Sequence, residues 1–516
     1  MRAAVTPRRA WILLAAVVLA SEGHSSLVAA AKPHTSAAEA KVDRARLDAF
    51  VERAMRLEVA PGLAVVVVKG KERSYARGFG YADREARRRV GPETLFYIAS
   101  TTKSFTALAA ALMQHRGAVD LDAPLSRSLK GARLHPSLSA DSITLRDLLT
   151  HTHGISQDGP VVFRTAFTGD FTDPLLLELL AEHPPASTGR AFAYGNLGYV
   201  VAGLVLQAVD GRSWKEIVQR EVLQPAGMKA TSAWRSKVRD DRVAVPYEVD
   251  VAGFRRLRAV KSDANMHAAG GHFSTILDLA RYLEAHLNDG RIEGRQVYPA
   301  AVMAETRRKQ ADQNRKYGEI ERFGWGLGWD LGRMDGEQLV HRFGGFPGYH
   351  CHLSFMPERG IGVAVLVNEA NGGSQLAALV AGYAYELWLG RPDIDARYAQ
   401  KLEALRDQAV KYRAKLAADQ AERASRSQTL PRPLEAYAGI YESRLLGRIE
   451  LQTAGGRLMA RMGVLASPVE AYDATHDKLR VELTGSGSIV EMGFPPEGGV
   501  ASRLTYQGEE FTRTSP

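Results

Sequence analysis

Two apolar runs bracket most of the chain: Leu63-Ala64-Val65-Val66-Val67-Val68 near its start and Gly362-Val363-Ala364-Val365-Leu366-Val367 well past its middle. Runs of this length and composition read as strands, and the second is apolar enough on both faces to lie centrally in a sheet. The first is followed by a turn at Gly70-Lys71 and a further run from Ser74 to Gly80, so it opens a hairpin. More strands are expected at about Leu339 to Arg342 and Tyr349 to Met356. Between these groups lies a helix-rich stretch, about Leu145 to Leu287, interrupted by Gly and Pro loops. A helix over about Asp43 to Glu58 precedes the first strand, and one over Leu376 to Leu389 closes the unit. Strands at both ends with helices between fit an α+β design: an antiparallel sheet flanked by helices, plus a separate helical region.

Beyond this unit the pattern changes twice. From Asp393 to about Ser425 the chain is charged, alanine-rich and free of Gly, which reads as one long helix ended by Pro431 and Pro433. Its apolar positions Leu402, Leu405, Val410, Tyr412 and Leu416 keep no sustained heptad, favouring a packed linker over a dimerising coiled coil. Residues 434–516 carry short alternating runs such as Gly447 to Leu451, Leu458 to Met462, Lys478 to Leu483 and Arg503 to Tyr506, separated by Gly, Asp and Pro turns. They read as a small antiparallel β domain. The expected organisation is therefore a signal peptide over 1–31, a main domain over 45–390, a helical linker over 391–430 and the β domain over 434–516.

The formal net charge is +9, but the basic residues are dispersed; the densest run, Arg84 to Arg89, reads as a solvated hairpin tip. No nucleic-acid-binding motif accompanies it. At the amino terminus Arg2, Arg8 and Arg9 precede an apolar stretch from Ala10 to Ala20, the pattern of an export signal, cleaved after Ala20 or within Ala29-Ala30-Ala31. An uncleaved anchor is the alternative; once the signal is cleaved no membrane span is expected, and the protein would be periplasmic or secreted. The single cysteine, Cys351, cannot form an internal disulfide and reads as a buried strand residue. Two His-x-His pairs, His151 with His153 and His350 with His352, lack a third ligand at familiar spacing, so no metal site is expected.

The chemistry enters at Ser100-Thr101-Thr102-Lys103, where an apolar run gives way to a helix with Phe105, Leu108, Ala109, Leu112 and Met113 at helical spacing. Residues three apart on a helix are neighbours, so Lys103 reaches back toward Ser100. Serine alone is a poor nucleophile; an amine nearby can take its proton, and the unpaired N–H groups of the helix start can hold an oxyanion. By itself the pair equally suits an N-cap serine beside an exposed lysine. Two later segments change that balance: Phe192-Ala193-Tyr194-Gly195-Asn196, and Arg342-Phe343-Gly344-Gly345-Phe346-Pro347-Gly348-Tyr349.

Ser-x-x-Lys, then Tyr-x-Asn, then a Gly-rich strand opened by a basic residue resembles the serine β-lactamase and penicillin-binding-protein superfamily, in particular the class C β-lactamases and their esterase and peptidase relatives. Flanking segments agree: Pro61-Gly62, Leu148-Leu149-Thr150-His151-Thr152-His153-Gly154-Ile155, and Ala269-Gly270-Gly271. The resemblance covers about residues 45 to 390. It implies a β-lactamase-like domain with its site between sheet and helical region. There Ser100 is the nucleophile, and Lys103 and Tyr194 share the general-base work near the serine oxygen. Asn196 orients Lys103 and offers its amide to substrate. Relatives carry Lys-Thr-Gly or His-x-Gly in the third motif; Arg342 stands at the basic position, while the adjacent His341 would face the other way on a strand. Gly344 lets substrate backbone approach closely, and Gly345 supplies the second oxyanion N–H beside that of Ser100. The resemblance further implies a cofactor-free exported serine hydrolase acting through an acyl-enzyme, an esterase or D-amino-acid peptidase on small-molecule or cell-wall-derived substrates. Its alternatives are a β-lactamase and a slowly acylating penicillin-binding sensor or scaffold. Nothing in the sequence sets an oligomeric state.

Overall fold

The computed structural model describes residues 44–515 apart from 157–158, 259–260, 428 and 486; the expected signal segment lies outside the described residues. A nine-stranded sheet organises the first part of the chain. Its strands are β1 (Gly62–Lys69), β2 (Glu72–Asp83), β3 (Arg88–Arg89), β4 (Ala311–Tyr317), β5 (Ile320–Trp325), β6 (Asp330–Met334), β7 (Glu337–Phe346), β8 (Tyr349–Met356) and β9 (Ile361–Val367). The spatial order is β4-β5-β6-β7-β8-β9-β1-β2-β3, with the paired strands antiparallel.

The two apolar runs that open the sequence pair directly, Leu63 opposite Val367 through Lys69 opposite Ile361. Both are apolar on both faces because each face has its own core. Ala64, Val66, Val68, Ala364 and Leu366 join one cluster, while Leu63, Val65, Val67, Val363, Val365 and Val367 join the other. The first cluster is covered by α2 (Thr102–His115), α4 (Leu197–Asp210) and α5 (Ile276–Leu287), with the short α3 (Leu145–Thr150) against α4. Helix α1 (Arg44–Met55) and α6 (Gly373–Trp388) cover the second. On α1 the buried residues Leu47, Phe50, Val51 and Ala54 make one stripe, and Phe50 stacks on Tyr383 at 4.0 Å.

The sequence reading missed β4 to β6. Their composition explains this: β4, Ala-Asp-Gln-Asn-Arg-Lys-Tyr, is an edge strand with only Ala311 and Gln313 buried, so it lacks the apolar signal of its neighbours. Helix α7 (Ile394–Ser425) buries only Ile394, Tyr398, Leu402 and Leu405, all in its first half, and Val410 is exposed. It lies along α6 and ties back through Arg413, which donates to Glu58 O at 2.7 Å. No helix among the described residues is long and apolar enough to cross a membrane.

The carboxyl-terminal region forms a second nine-stranded antiparallel sheet. Its strands are β10 (Gly439–Ser443), β11 (Gly447–Ala454), β12 (Arg457–Met462), β13 (Leu465–Pro468), β14 (Glu470–Asp473), β15 (Lys478–Val481), β16 (Ser488–Gly493), β17 (Arg503–Tyr506) and β18 (Glu509–Ser515). Its order is β13-β12-β11-β10-β18-β17-β16-β15-β14, so the first and last strands meet in the middle. Residues 159–168 of the main domain pack into this sheet's own core. Phe163 belongs to that core, Phe167 lies against it, and Val464 N donates to Thr168 O at 3.0 Å. Arg164, almost fully buried, donates to Leu445 O at 2.6 Å and Arg444 O at 2.8 Å in the turn between β10 and β11.

Candidate active site

Ser100 lies in a 3-10 turn, Ala99–Thr101, that leads straight into α2. Ala99 has φ +44°, an unusual conformation for a residue with a side chain, so the chain is bent sharply just before the serine. Strand β7 runs past this bend. A Cβ on Gly344 would stand 2.0 Å from Ile98 O and 3.1 Å from Ser100 N, so only glycine allows the approach. Thr101 Oγ1 donates to Arg342 O at 3.3 Å and fixes the same contact.

Lys103 is fully buried, one turn into the helix. Its Nζ donates to Ser100 Oγ at 3.1 Å, Asn196 Oδ1 at 2.5 Å and Ala269 O at 2.9 Å. An ammonium has three N–H groups, and these three acceptors match them. Asn196 stands at the N-cap of α4 yet its side chain caps nothing; the amide oxygen is turned to the lysine instead. Tyr194 stands over the same group, its ring centre 5.1 Å from Lys103 Nζ. Burial alone would push this phenol up, but the charges of Arg342 and Lys103, with Ser100 as a polar neighbour, outweigh it and hold the phenol below its ordinary value.

Arg342, not His341, faces the tyrosine: its guanidinium is 4.9 Å from the Tyr194 ring centre and 5.1 Å from that of Trp325. His341 is turned to the other face, stacked on Phe343 at 4.4 Å and held neutral mainly by burial. Strand β6 pairs with β7 only from Glu337 to His341, so residues 342–346 leave that edge of β7 without a strand neighbour, and Gly345 is exposed on it. Next along the edge, Phe346 meets Tyr97 at 5.2 Å and Phe167 at 5.2 Å, an aromatic wall beside Gly345.

The residues singled out in the sequence thus come together: Ser100, Lys103, Tyr194, Asn196 and Arg342 by direct side-chain approach, Gly344 against the Ser100 backbone, and Gly345 next to it on the open edge of β7. Supporting groups surround them, His151 from the flanking segment noted in the sequence, and Trp325 and Asp330 with no sequence signal. His151 ends α3 with φ +60° and lies 4.8 Å from the Tyr194 ring, ring centre to ring centre; its Nδ1 accepts from Gly195 N at 3.4 Å. Trp325, buried on β5, donates from Nε1 to Leu149 O at 3.0 Å. Asp330, on a strand the sequence did not reveal, lies 3.2 Å from Arg342 Nη1. No group of three or more His, Cys, Asp or Glu among the described residues is arranged to hold a metal. Of the two His-x-His pairs, His352 is engaged with Ser354 Oγ at 2.7 Å and His350 with Ala370 O at 3.0 Å.

A family model described as Beta-lactamase matches residues 47–384. Protein flp of Staphylococcus aureus (strain NCTC 8325 / PS 47) is 23% identical over 329 residues, 63% of this chain and 62% of its own length. The chain therefore spans less than two thirds of that curated relative. Among solved structures, the octameric penicillin-binding protein homologue from Pyrococcus abyssi aligns with TM-score 0.58 and 24% identity, over 91% of this chain and 100% of that one. The D-amino acid amidase from Ochrobactrum anthropi SV3 complexed with D-phenylalanine aligns with TM-score 0.55 and 22% identity, over 65% of this chain and 98% of that one. At these identities the structural likeness is one of fold.

Proposed function

From a chain that belongs to the beta-lactamase family and is a serine hydrolase, we propose that Ser100 is the nucleophile and that Tyr194 takes its proton. The carrying observation is the Lys103 amine 3.1 Å from Ser100 Oγ, with the Tyr194 ring 5.1 Å from the same amine and 4.9 Å from the Arg342 guanidinium. Lys103 donates to Ser100, Asn196 and Ala269, which suits a resident cation better than a proton acceptor. Its charge and that of Arg342 favour a phenolate at Tyr194, and the phenolate is then the base.

In the first step Ser100 Oγ bonds to the substrate carbonyl carbon while its proton passes to the Tyr194 oxygen. The carbonyl oxygen takes the negative charge, facing the N–H groups of Ser100 and Gly345. Tyr194 returns the proton to the leaving oxygen or nitrogen as that bond breaks, leaving the acyl-enzyme. Water, giving its proton to Tyr194, then releases the acid and restores Ser100. Asn196 holds Lys103 and presents its amide to the substrate.

The substrate reading is an ester or amide of a small acyl compound, D-amino acid derivatives foremost. The aromatic wall of Phe346, Phe167 and Tyr97 beside Gly345 favours an apolar side chain on the acyl group. The structural neighbour described with D-phenylalanine is in keeping with that chemistry. We also propose, on the amino-terminal sequence alone, that the protein is exported to the periplasm or secreted, where cell-wall fragments are candidate substrates.

Intact-mass measurement after exposure to a fluorophosphonate, and separately to a β-lactam, tests this on wild type and Ser100→Ala. A single adduct present only in wild type is expected; an adduct that survives Ser100→Ala, or none with either probe, contradicts it. Persistence of a β-lactam adduct without turnover would instead mark a penicillin-binding sensor.

A further inference from the structure

We propose that Asp330 is a positioning residue for this reaction: it holds the Arg342 guanidinium against Tyr194. The inference rests on the reading that Tyr194 takes the Ser100 proton.

Arg342 is 6% exposed and Asp330 2% exposed, and Asp330 is the sole ion-pair partner of Arg342 among the described residues. The guanidinium lies against both rings, Tyr194 at 4.9 Å and Trp325 at 5.1 Å, which are themselves 5.8 Å apart, with Asp330 Oδ2 3.2 Å from Nη1. Its Nε donates to Phe343 O at 3.2 Å, whereas Nη1 makes no hydrogen bond, so the carboxylate is what draws that arm of the fork inward. Trp325 is itself locked by its bond to Leu149 O and closes the far side.

Asp330 is in turn oriented from three strands. Gln313 Nε2 on β4 donates to its Oδ1 at 3.0 Å, Arg322 Nε on β5 lies 3.5 Å from the same oxygen, and His341 Nδ1 on β7 lies 4.0 Å from Oδ2. Burial keeps His341 neutral, so two guanidinium groups share one carboxylate. Isolating a carboxylate this deeply is costly unless charge compensates it. The groups facing Tyr194 are Ser100 from the turn before α2, Lys103 from α2, His151 from the end of α3, Arg342 from β7 and Trp325 from β5; His151 is neutral, again mainly through burial. Among the described residues Arg342 is therefore the one cation on Tyr194 besides Lys103. Its place depends on Asp330, whose side chain is buried behind it.

Asp330→Asn keeps the shape and removes the tether. The guanidinium then withdraws from the ring, and the phenol titrates at higher pH. Two readouts follow Tyr194: the pH dependence of Ser100 labelling by a fluorophosphonate, and phenolate absorbance taken as the difference from Tyr194→Phe. In Asp330→Asn the acidic limb should move up by about one pH unit, about a tenfold slower labelling below it. Arg342→Gln should move it the same way, and Asp330→Asn should add nothing on the Arg342→Gln background. An unmoved limb, a downward move, or an equal shift with and without Arg342 would overturn the proposal. Should Asp330→Asn not fold, Asp330→Glu carries the same test, since it keeps the charge but displaces it; an unmoved limb there overturns the proposal too. The absorbance titration needs no reaction, so the two failures are told apart: an unmoved phenolate titration removes the Asp330 tether, whereas failure of Ser100 labelling with a shifted titration removes the reaction that the tether would serve.

Discussion

The two sheets of this protein are built alike and used differently. Each has nine strands, and each brings an early strand of its run beside its last, β1 against β9 and β10 against β18. In the first, the chain leaves after β3 and returns at β4, and the intervening segment supplies Ser100, Lys103, Tyr194 and Asn196. In the second, turns and short loops join the strands, with no insertion of that size. Their interiors differ accordingly. The main domain buries Lys103, Arg342, Asp330 and Glu369, whereas among the described residues of the second sheet the buried polar ones are Ser443 and Ser467. Buried charge is expensive, so it persists where chemistry or a specific fit requires it. The second sheet is thus read as support: its core receives Phe163 and flanks Phe167, which in turn meets Phe346 beside Gly345.

Paired substitutions sharpen that contrast. Ser100→Ala should lower hydrolysis of an activated ester by roughly ten-thousand-fold. The fully buried Ser467, which donates to Pro468 O at 2.7 Å and accepts from Glu482 N at 2.7 Å, should lose only about 1 kcal/mol of stability as Ser467→Ala, with the rate intact. Equal losses of rate at both positions would erase the distinction. Lys103→Ala should cost about a thousandfold in rate, and calorimetry should find it destabilised, because Asn196 Oδ1 and Ala269 O lose their donor. Its counterpart Lys478, paired with Glu491 at 2.9 Å on a partly exposed surface, should cost less than about 1 kcal/mol as Lys478→Ala.

Arg164 joins the two regions. Arg164→Ala removes its donors to Leu445 O, Arg444 O and Asp170 O and should cost about 2–4 kcal/mol in denaturant unfolding. If the second sheet supports the aromatic wall, KM for substrates with bulky apolar acyl groups should rise in the same variant, while that for acetyl esters should not. Uniform KM values would confine the second sheet to stability.

A pH effect on stability concerns Glu369, fully buried just before α6. Burial pushes its carboxyl up to about 7, against the pull of N–H donors from Asn371, Gly373, Gly372 and Val249. Between the unfolded value near 4.5 and about 7 the folded protein keeps a proton that the unfolded chain has released. Stability should therefore fall as pH rises through that window, by at most about 1.4 kcal/mol per pH unit, and be level above it. Glu369→Gln should flatten the slope in melting temperature against pH; an unchanged slope would assign it to other groups, Glu248 first.

Much of this was legible in the residues. The apolar runs located β1 and β9 because strands buried on both faces need no alternation, and the three motifs named the groups that now surround Ser100. What escaped was long-range or polar. Strands β4 to β6 carry charged sequence because β4 is an edge, and Asp330 on β6 therefore gave no hint of its partner Arg342. Within the expected helix-rich stretch, the conformation of segment 159–169 depends on the second sheet, through Arg164 and the bond between Val464 and Thr168, and so is not written in its own residues. Sequence periodicity carries local geometry well, but it holds no record of contacts made across hundreds of residues.

The account stands on Tyr194 acting as base for Ser100, and the rate of fluorophosphonate labelling of Ser100 in folded Tyr194→Phe tests that most directly. The account predicts a slowing of about a hundredfold or more at neutral pH, with the acidic limb of the wild-type profile gone. Labelling of Tyr194→Phe at the wild-type rate, with the same limb, would contradict it.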